Sequence, residues 1–242
     1  MFPCPIERTP NFVPMSIDLS VSVPQPRLNS KWVEARFDRI AGSYWVFERL
    51  FLVPPTARQR SVDLLKLQPG ERALSVGCGQ GKALKALSRG VQASGNVVGV
   101  DLSAEMLKRA YDQLIEHSLG NVLLVKKDFL TFEPEHKFNA VLFSLSLTSF
   151  GEPSKALHHA WELLLPGGRL VVLDAQLPPK LGLLTKPMMQ LIRKFLEATV
   201  LGDPDMRTLA ELEQLAPIVR LEHFRKETYF VALLKKPELP SS

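Results

Sequence analysis

In the stretch Arg72–Gly81, RALSVGCGQG, Gly77, Gly79 and Gly81 alternate between a short apolar run and a helix-like one. A strand that breaks into a glycine turn and then a helix lets backbone approach a ligand closely, because no Cβ stands in the way. The free N–H groups at the helix start point at whatever lies there. Two acids follow. Asp101 comes after the turn by roughly the ~20 residues expected of a ribose-binding acid at the end of a second strand. A carboxylate there can accept from both ribose hydroxyls. Asp128 closes the next apolar run, where it can accept from an adenine amino group, and Phe129 beside it can cover the ring. A nicotinamide dinucleotide is one such ligand; against it, the dinucleotide fingerprint wants a third glycine one place later, where this chain has Lys82.

The elements that must hold these residues alternate strand and helix. Arg72–Val76 is a strand, Lys82–Arg89 a helix, Asn96–Val100 a second strand ending at Asp101. Ser103 caps a helix over Ala104–His117, with Met106, Leu107, Ala110 and Leu114 on one side. Asn121–Lys127 and Phe138–Phe143 are the third and fourth strands, ending at Asp128 and Ser144. Pro153–Leu165 reads as a helix. Pro166-Gly167-Gly168 then makes a tight turn into a fifth strand, Leu170–Leu173, and Val219–Phe224 and Thr228–Leu234 are two closing strands. The alternation predicts an α/β fold, a Rossmann-like doubly wound, mostly parallel sheet of seven strands with helices on both faces. Ligands of such sheets bind beyond the carboxyl ends of the strands, and Gly77, Asp101, Asp128 and Ser144 all stand at those ends.

Outside this frame, residues 1–30 hold prolines at 3, 5, 10, 14, 24 and 26, which no helix or central strand tolerates, so they are expected to form a flexible tail. Residues 31–236 make the main domain. Within it, 31–56 form an N-terminal helical lid with a break at Gly42-Ser43, and Ala57–Leu67 is a further helix. A helical insertion over 177–201 carries a stripe from Met188 to Leu196 flanked by Lys186, Arg193 and Lys194. That stripe reads as a helix packing on the sheet, or as a lid or basic amphipathic surface touching a lipophilic acceptor or membrane. Residues 237–242 form a C-terminal tail.

At 242 residues, with 45% hydrophobic and 23% charged, the chain is an ordinary globular one. No apolar run reaches the ~18 residues of a membrane span. The first ten residues do not read as a secretory signal. Two cysteines, Cys4 and Cys78, give no disulfide framework, which favours a cytoplasmic setting, and with five histidines no metal-ligand spacing appears. The net charge of +5 comes without a basic block interleaved with aromatics, so nucleic acid is not an expected partner.

The ordered motifs resemble those of the class I S-adenosylmethionine (SAM) dependent methyltransferases. VGCGQG (76–81) is similar to their first motif, VVGVDLSAEMLKRA (97–110) to the ribose motif and KKDFL (126–130) to the adenine motif. FNAVLFSLSL (138–147) resembles the fourth motif and LLPGGRLVVLD (164–174) the turn and strand after it. The flanks RFDRIAGSYWVFERLF and YFVALLKKP look most like the ubiquinone/menaquinone C-methyltransferase and bacterial phospholipid N-methyltransferase groups. The resemblance implies SAM as cofactor and methyl transfer to a small acceptor, quinone-like, lipid or secondary metabolite. It implies that Gly77, Cys78, Gly79 and Gly81 line the methionine portion and that Asp101 takes the ribose, with Leu102 and Met106 nearby. Asp128 and Phe129 would hold adenine, Ser144 and Leu145 would sit beside the sulfonium, and Tyr44 would reach the pocket from the lid.

The departures bear on turnover. Ser75 stands where the family usually has an acid that helps hold the methionine ammonium. The fourth motif opens with Asn139 instead of Asp, and Thr148-Ser149 replaces a frequent His. These keep open a SAM-fold protein with weak or no methyl transfer, or one using SAM for other chemistry. A carbon or oxygen acceptor must lose a proton, which invites a general base. Tyr44 is the weak candidate. His158 and His159 read as surface or packing residues, and His223 as equally suited to a structural role.

Overall fold

The computed structural model describes residues 30–41, 53–176 and 208–238. Within them one sheet of seven strands runs in the order β3-β2-β1-β4-β5-β7-β6. The chain enters through α1 (Ser30–Ile40) and α2 (Pro55–Asp63), then β1 (Arg72–Val76), α3 (Leu84–Val91), β2 (Asn96–Asp101) and α4 (Ala104–Glu116). It continues through β3 (Val122–Lys126), β4 (Phe138–Ser144), α5 (Pro153–Glu162) and β5 (Leu164–Ala175). After α6 (Thr208–Leu215), β6 (Ile218–Phe224) and β7 (Tyr229–Lys235) form a hairpin. Strands β1 to β5 are parallel, whereas β7 pairs antiparallel with both β5 and β6.

The period-two alternation of the strands sorts the core into two layers. Leu74, Val76, Val98, Val100, Val141 and Phe143 face α5 and α6. Ala73, Val97, Ala140, Leu142, Val171 and Leu173 face α2, α3 and α4. The central strands are apolar on both sides because helices cover both faces. β1 and β4, where the order of strands switches, carry the glycine turn and Ser144 at their carboxyl ends.

The fifth strand differs from expectation. It is one twelve-residue strand that runs through Pro166-Gly167-Gly168, so those residues lie within the strand and not in a turn before it. Phe138 pairs with Leu164 but Ala140 with Arg169, so the extra residues bulge out of the ladder. Gly167, at φ 74, holds the bulge, and its N–H donates to the carbonyls of Lys236 and Pro237. The long pairing with β7 could not be foreseen from a Pro-Gly-Gly signal. The second helix also stops earlier than its apolar pattern suggests, at Asp63, and Lys66 turns the chain at φ 46. The second half of the lid, Tyr44 with it, and the 177–201 insertion lie outside the described residues. Among the described residues no helix is long and apolar enough to cross a membrane.

Candidate functional site

Local chemistry builds the crevice at the carboxyl ends of β1, β2, β3 and β4. Gly77, Gly79 and Gly81 have φ of 59, 53 and 81, the left-handed region that a side chain disfavours. Their surroundings differ. A Cβ on Gly77 would stand 2.6 Å from the Cβ of Ser146, so this glycine lets the β4 loop close on the turn. A Cβ on Gly79 would meet nothing, so that backbone faces open space. Gly81 is not on the crevice wall; its missing side chain lets α4 approach, the nearest atom being the Ala110 Cβ at 3.1 Å.

Asp101 is bound into this turn. One of its oxygens accepts from the Gly79 N–H at 2.7 Å and the other from the Ser103 N–H at 3.0 Å. Burial pushes its carboxyl upward, the N–H groups of Ser103, Gly79 and Leu102 pull it back, and Asp38 pushes it up again. Ser103 caps α4 by accepting from the Met106 N–H at 3.1 Å and donates its hydroxyl to Asp38 of α1. Gln80 donates to the Ala41 carbonyl at 2.8 Å, and Lys126 pairs with Glu34 at 2.8 Å. These polar contacts seat α1 against the Asp101 side of the crevice, where Val33 and Phe37 join the wall.

Asp128 accepts from the Leu130 N–H at 3.0 Å and so caps the short turn Phe129–Thr131. Phe129 borders the crevice, but only 3% of it is exposed. Its ring packs edge-on against Phe143, Phe150 and His159, with centroids 5.9, 6.0 and 5.0 Å away. That ring is a core element more than a free platform. Two further aromatic side chains border the crevice, Phe150 and Phe37, and the sequence reading missed both as wall residues; the instructive one is Phe37. It sits in an apolar helical pattern that does not separate wall from core.

On the β4 side the chain is held by several anchors. Leu145 adopts φ 60, rare for a branched side chain, while its N–H donates to the Leu173 carbonyl at 2.8 Å. The Ser146 hydroxyl donates to the Val76 carbonyl at 2.7 Å. Thr148 gives its N–H at 3.0 Å and its hydroxyl at 3.2 Å to Asp174, a fully buried carboxylate at the end of β5. Burial pushes the Asp174 carboxyl up to about 6 despite donors from Ala175, Thr148 and Leu147. Strained backbone persists where the surroundings over-determine it, often at a site. Asp174 was missed, although a lone acid closing an apolar run was its visible mark.

The remaining candidates have definite places. Ser75 is buried at 2% exposure and borders the crevice, as do Cys78, Leu102, Met106 and Ser144. Burial and the Asp101 charge push the Cys78 thiol well above its ordinary range, so it is held neutral. Asn139 lies at the opposite end of the sheet from the crevice. It is the second residue of β4, and its side-chain oxygen accepts from the Arg72 N–H at 2.9 Å, tying the starts of β4 and β1 together. His158 is exposed, and His159 donates from Nε2 to the Phe132 carbonyl at 2.9 Å, in keeping with surface and packing roles. His223 is exposed on β6 with Gln176 3.4 Å away. Among the described residues no cluster of metal-ligating side chains forms.

The model of a methyltransferase domain family matches residues 67–213. The chain belongs to the class I SAM-dependent methyltransferase family. It is similar to the ubiquinone/menaquinone biosynthesis C-methyltransferase UbiE of Teredinibacter turnerae, 30% identical over 195 residues, which cover 72% of this chain and 78% of that one. With the Methylococcus capsulatus UbiE it is 32% identical over 147 residues, 59% of each chain. The chain thus spans less than two thirds of the length of some curated relatives, 59% and 58% for two of them. Its fold is shared with a SAM-dependent methyltransferase from Aquifex aeolicus, at TM-score 0.56 and 18% identity, covering 86% of this chain and 98% of that one. The [4+2]-cyclase SpnF shares it too, at TM-score 0.58 and 19% identity over 74% of this chain and 81% of that one.

Proposed function

We propose that the protein transfers a methyl group from SAM to a small lipophilic acceptor of the quinone type, at a carbon atom. The observation that carries this reading is the meeting, in one crevice, of the glycine turn, Asp101, Asp128 and the Ser144–Leu145 corner. The residues suit the cofactor: the backbone at Gly79 faces open space that a Cβ would fill. Asp101 would accept from the ribose hydroxyls and Asp128 from the adenine amino group. Ser144 and Leu145 would border the sulfonium. When bound, SAM supplies a methyl already activated by positive sulfur. The chain's task is orientation and exclusion of water, and positioning alone is worth up to ~7–11 kcal/mol in intramolecular models. The anchored segment 145–150 would form the acceptor wall, with Tyr44 the candidate group reaching in from the lid. The names of the UbiE relatives are what point to a quinone acceptor.

The test is calorimetry with S-adenosylhomocysteine (SAH), followed by transfer of labelled methyl from SAM to short-chain benzoquinol and naphthoquinol acceptors. Labelled product supports the reading. Ser75 in place of an acid favours a second one, a SAM-fold protein without turnover; SAH binding with no labelled product from any acceptor would favour it. A cytoplasmic setting with contact at a lipid surface belongs to the same proposal. Absence of pelleting with anionic vesicles at low salt would remove the lipid contact.

A further inference from the structure

The contacts of α1 fix where the chain enters the fold. Glu34 pairs with Lys126 at the end of β3, and Asp38 accepts from Ser103 just after β2. The Ala41 carbonyl accepts from Gln80 in the turn after β1. The sheet order is β3-β2-β1, so α1 crosses the carboxyl ends from the outermost strand inwards. Ser30 stands one helical turn before Glu34, about 6 Å of helix against a strand spacing of about 4.8 Å. The chain therefore enters α1 from beyond the outer edge of β3. Among the described residues β3 pairs on one side only. Asn121 accepts from the Val97 N–H and the Lys127 N–H donates to Asp101, so the odd-numbered residues between them bond to β2. Val122, Leu124 and Lys126 then turn their N–H and C=O groups outwards, a template for a further strand. Apolar side chains flank this edge. Leu123 is 60% exposed, and Tyr111 and Ile115, one turn apart on α4, are 58% and 65% exposed. Ala110 meets Gly81 and His117 lies 3.5 Å from Lys85, so that flank of α4 faces α3. Tyr111 and Ile115 stand on the other flank, on the side of the β3 edge.

We propose that this edge is the docking site of the chain's own residues 17–23, IDLSVSV, which add to β3 as a further strand. Ile17, Leu19, Val21 and Val23 alternate with Asp18, Ser20 and Ser22, and the nearest prolines, Pro14 and Pro24, stand outside the run. Prolines at the ends of a run bar a central strand but not an edge one. Val122 and Leu124 belong to the core layer under α4, so Leu123 points to the opposite, open face. One row of the added strand thus meets Tyr111 and Ile115, and the other meets water. The alternation supplies one apolar row and one polar row to match. Length also fits. From residue 23 to Ser30 the chain spans up to about 25 Å, and β3 is about 17 Å long, so either strand direction is reachable. The edge of β6 lies six strand spacings further off, about 29 Å, outside that reach. Docking would hold the outer end of α1, the helix that places Val33 and Phe37 in the crevice wall.

Amide hydrogen exchange on the full chain, read residue by residue by NMR, tests the edge directly. The N–H groups of Leu123 and Val125 face β2 and serve as the internal reference. That of Leu124 faces outwards and exchanges slowly only when another strand accepts from it. In the wild type Leu124 is expected to exchange within about tenfold of Leu123. Ser20→Pro combined with Val21→Pro removes two successive donors, and so one from the bonded row in either register. It should speed Leu124 exchange by about a hundredfold while leaving Leu123 within about threefold, which also shows that the variant folds. Exchange at Leu124 as fast as in an exposed loop of the wild type overturns the docking. So does slow exchange that the double variant leaves unchanged. Protection of Leu124 that rises with protein concentration, together with a dimer mass by light scattering, assigns the edge to a second copy and overturns it as well.

Discussion

Asp174 offers a measurable test of how the corner after β4 is held. The carboxyl is fully buried and raised from 3.8 to about 6. A folded-state value above the unfolded one means that the native protein binds the proton more tightly. Stability from this group is then greatest at acid pH and falls as pH rises from near 3.8 through about 6. The full change, a shift of about 2 units at 1.36 kcal/mol per unit, is about 3 kcal/mol, and about half of it falls between about pH 5 and about pH 7.5. Asp174→Asn removes the titration while keeping an oxygen to accept from Thr148. Urea unfolding of both proteins across that range isolates the residue, because every other titration cancels in the difference. The wild type should lose about 1.5 kcal/mol relative to the variant, or roughly 3–6 °C in melting temperature for a chain of this size. A constant offset between the two does not matter; only the slope does. Parallel curves would refute the reasoning, since they would mean that the buried carboxylate is as comfortable ionised as it is in the unfolded chain.

Other substitutions separate the parts of the site. Asp101→Ala is expected to lower SAH affinity by about one to two decades, the scale of a lost charge-assisted hydrogen bond of about 1.5–3 kcal/mol, read by calorimetry. Gly77→Ala must force a Cβ to within 2.6 Å of the Ser146 Cβ, so it should destabilise the fold by more than the ~1–2 kcal/mol of left-handed backbone strain alone. Gly79→Ala meets nothing and should cost only that strain, while its methyl enters the space left for the cofactor and weakens SAH; equal melting temperatures for the two alanine variants would contradict the difference. Asp38→Ala releases Ser103 and the Glu105 N–H, 3.3 Å from its carboxylate, and should cost about 1 kcal/mol together with faster proteolysis near α1, seen by limited digestion.

The glycine turn, the capped helix at Ser103 and the acids closing β2 and β3 were readable in the chain because each is local. A left-handed φ selects glycine from within its own residue. A cap bonds two or three residues away, and an acid after an apolar run marks a strand end wherever that strand is placed. Short continuous apolar runs likewise announced buried parallel strands, and their regular alternation with helices announced the doubly wound sheet.

What sequence order left open was decided by pairing at long range. Asn139 looked like an altered catalytic position until β4 was set beside β1, where its carbonyl meets the Arg72 N–H at the far end of the sheet. Phe129 stood next to Asp128 and read as a cover for adenine, but the arrival of Phe143, Phe150 and His159 turned its ring into core. Pro166-Gly167-Gly168 reads as a turn alone and becomes a bulge only against β4 and β7. Arg58 and Phe37 reach the crevice from α2 and α1, and Asp174 is buried at the end of β5 under the β4 corner, on elements whose own residues say nothing of where they pack. The chain by itself therefore specified which local shapes could grip a nucleoside; the crossing of strands and the seating of helices chose which charges surround it, since those depend on contacts between residues far apart in sequence.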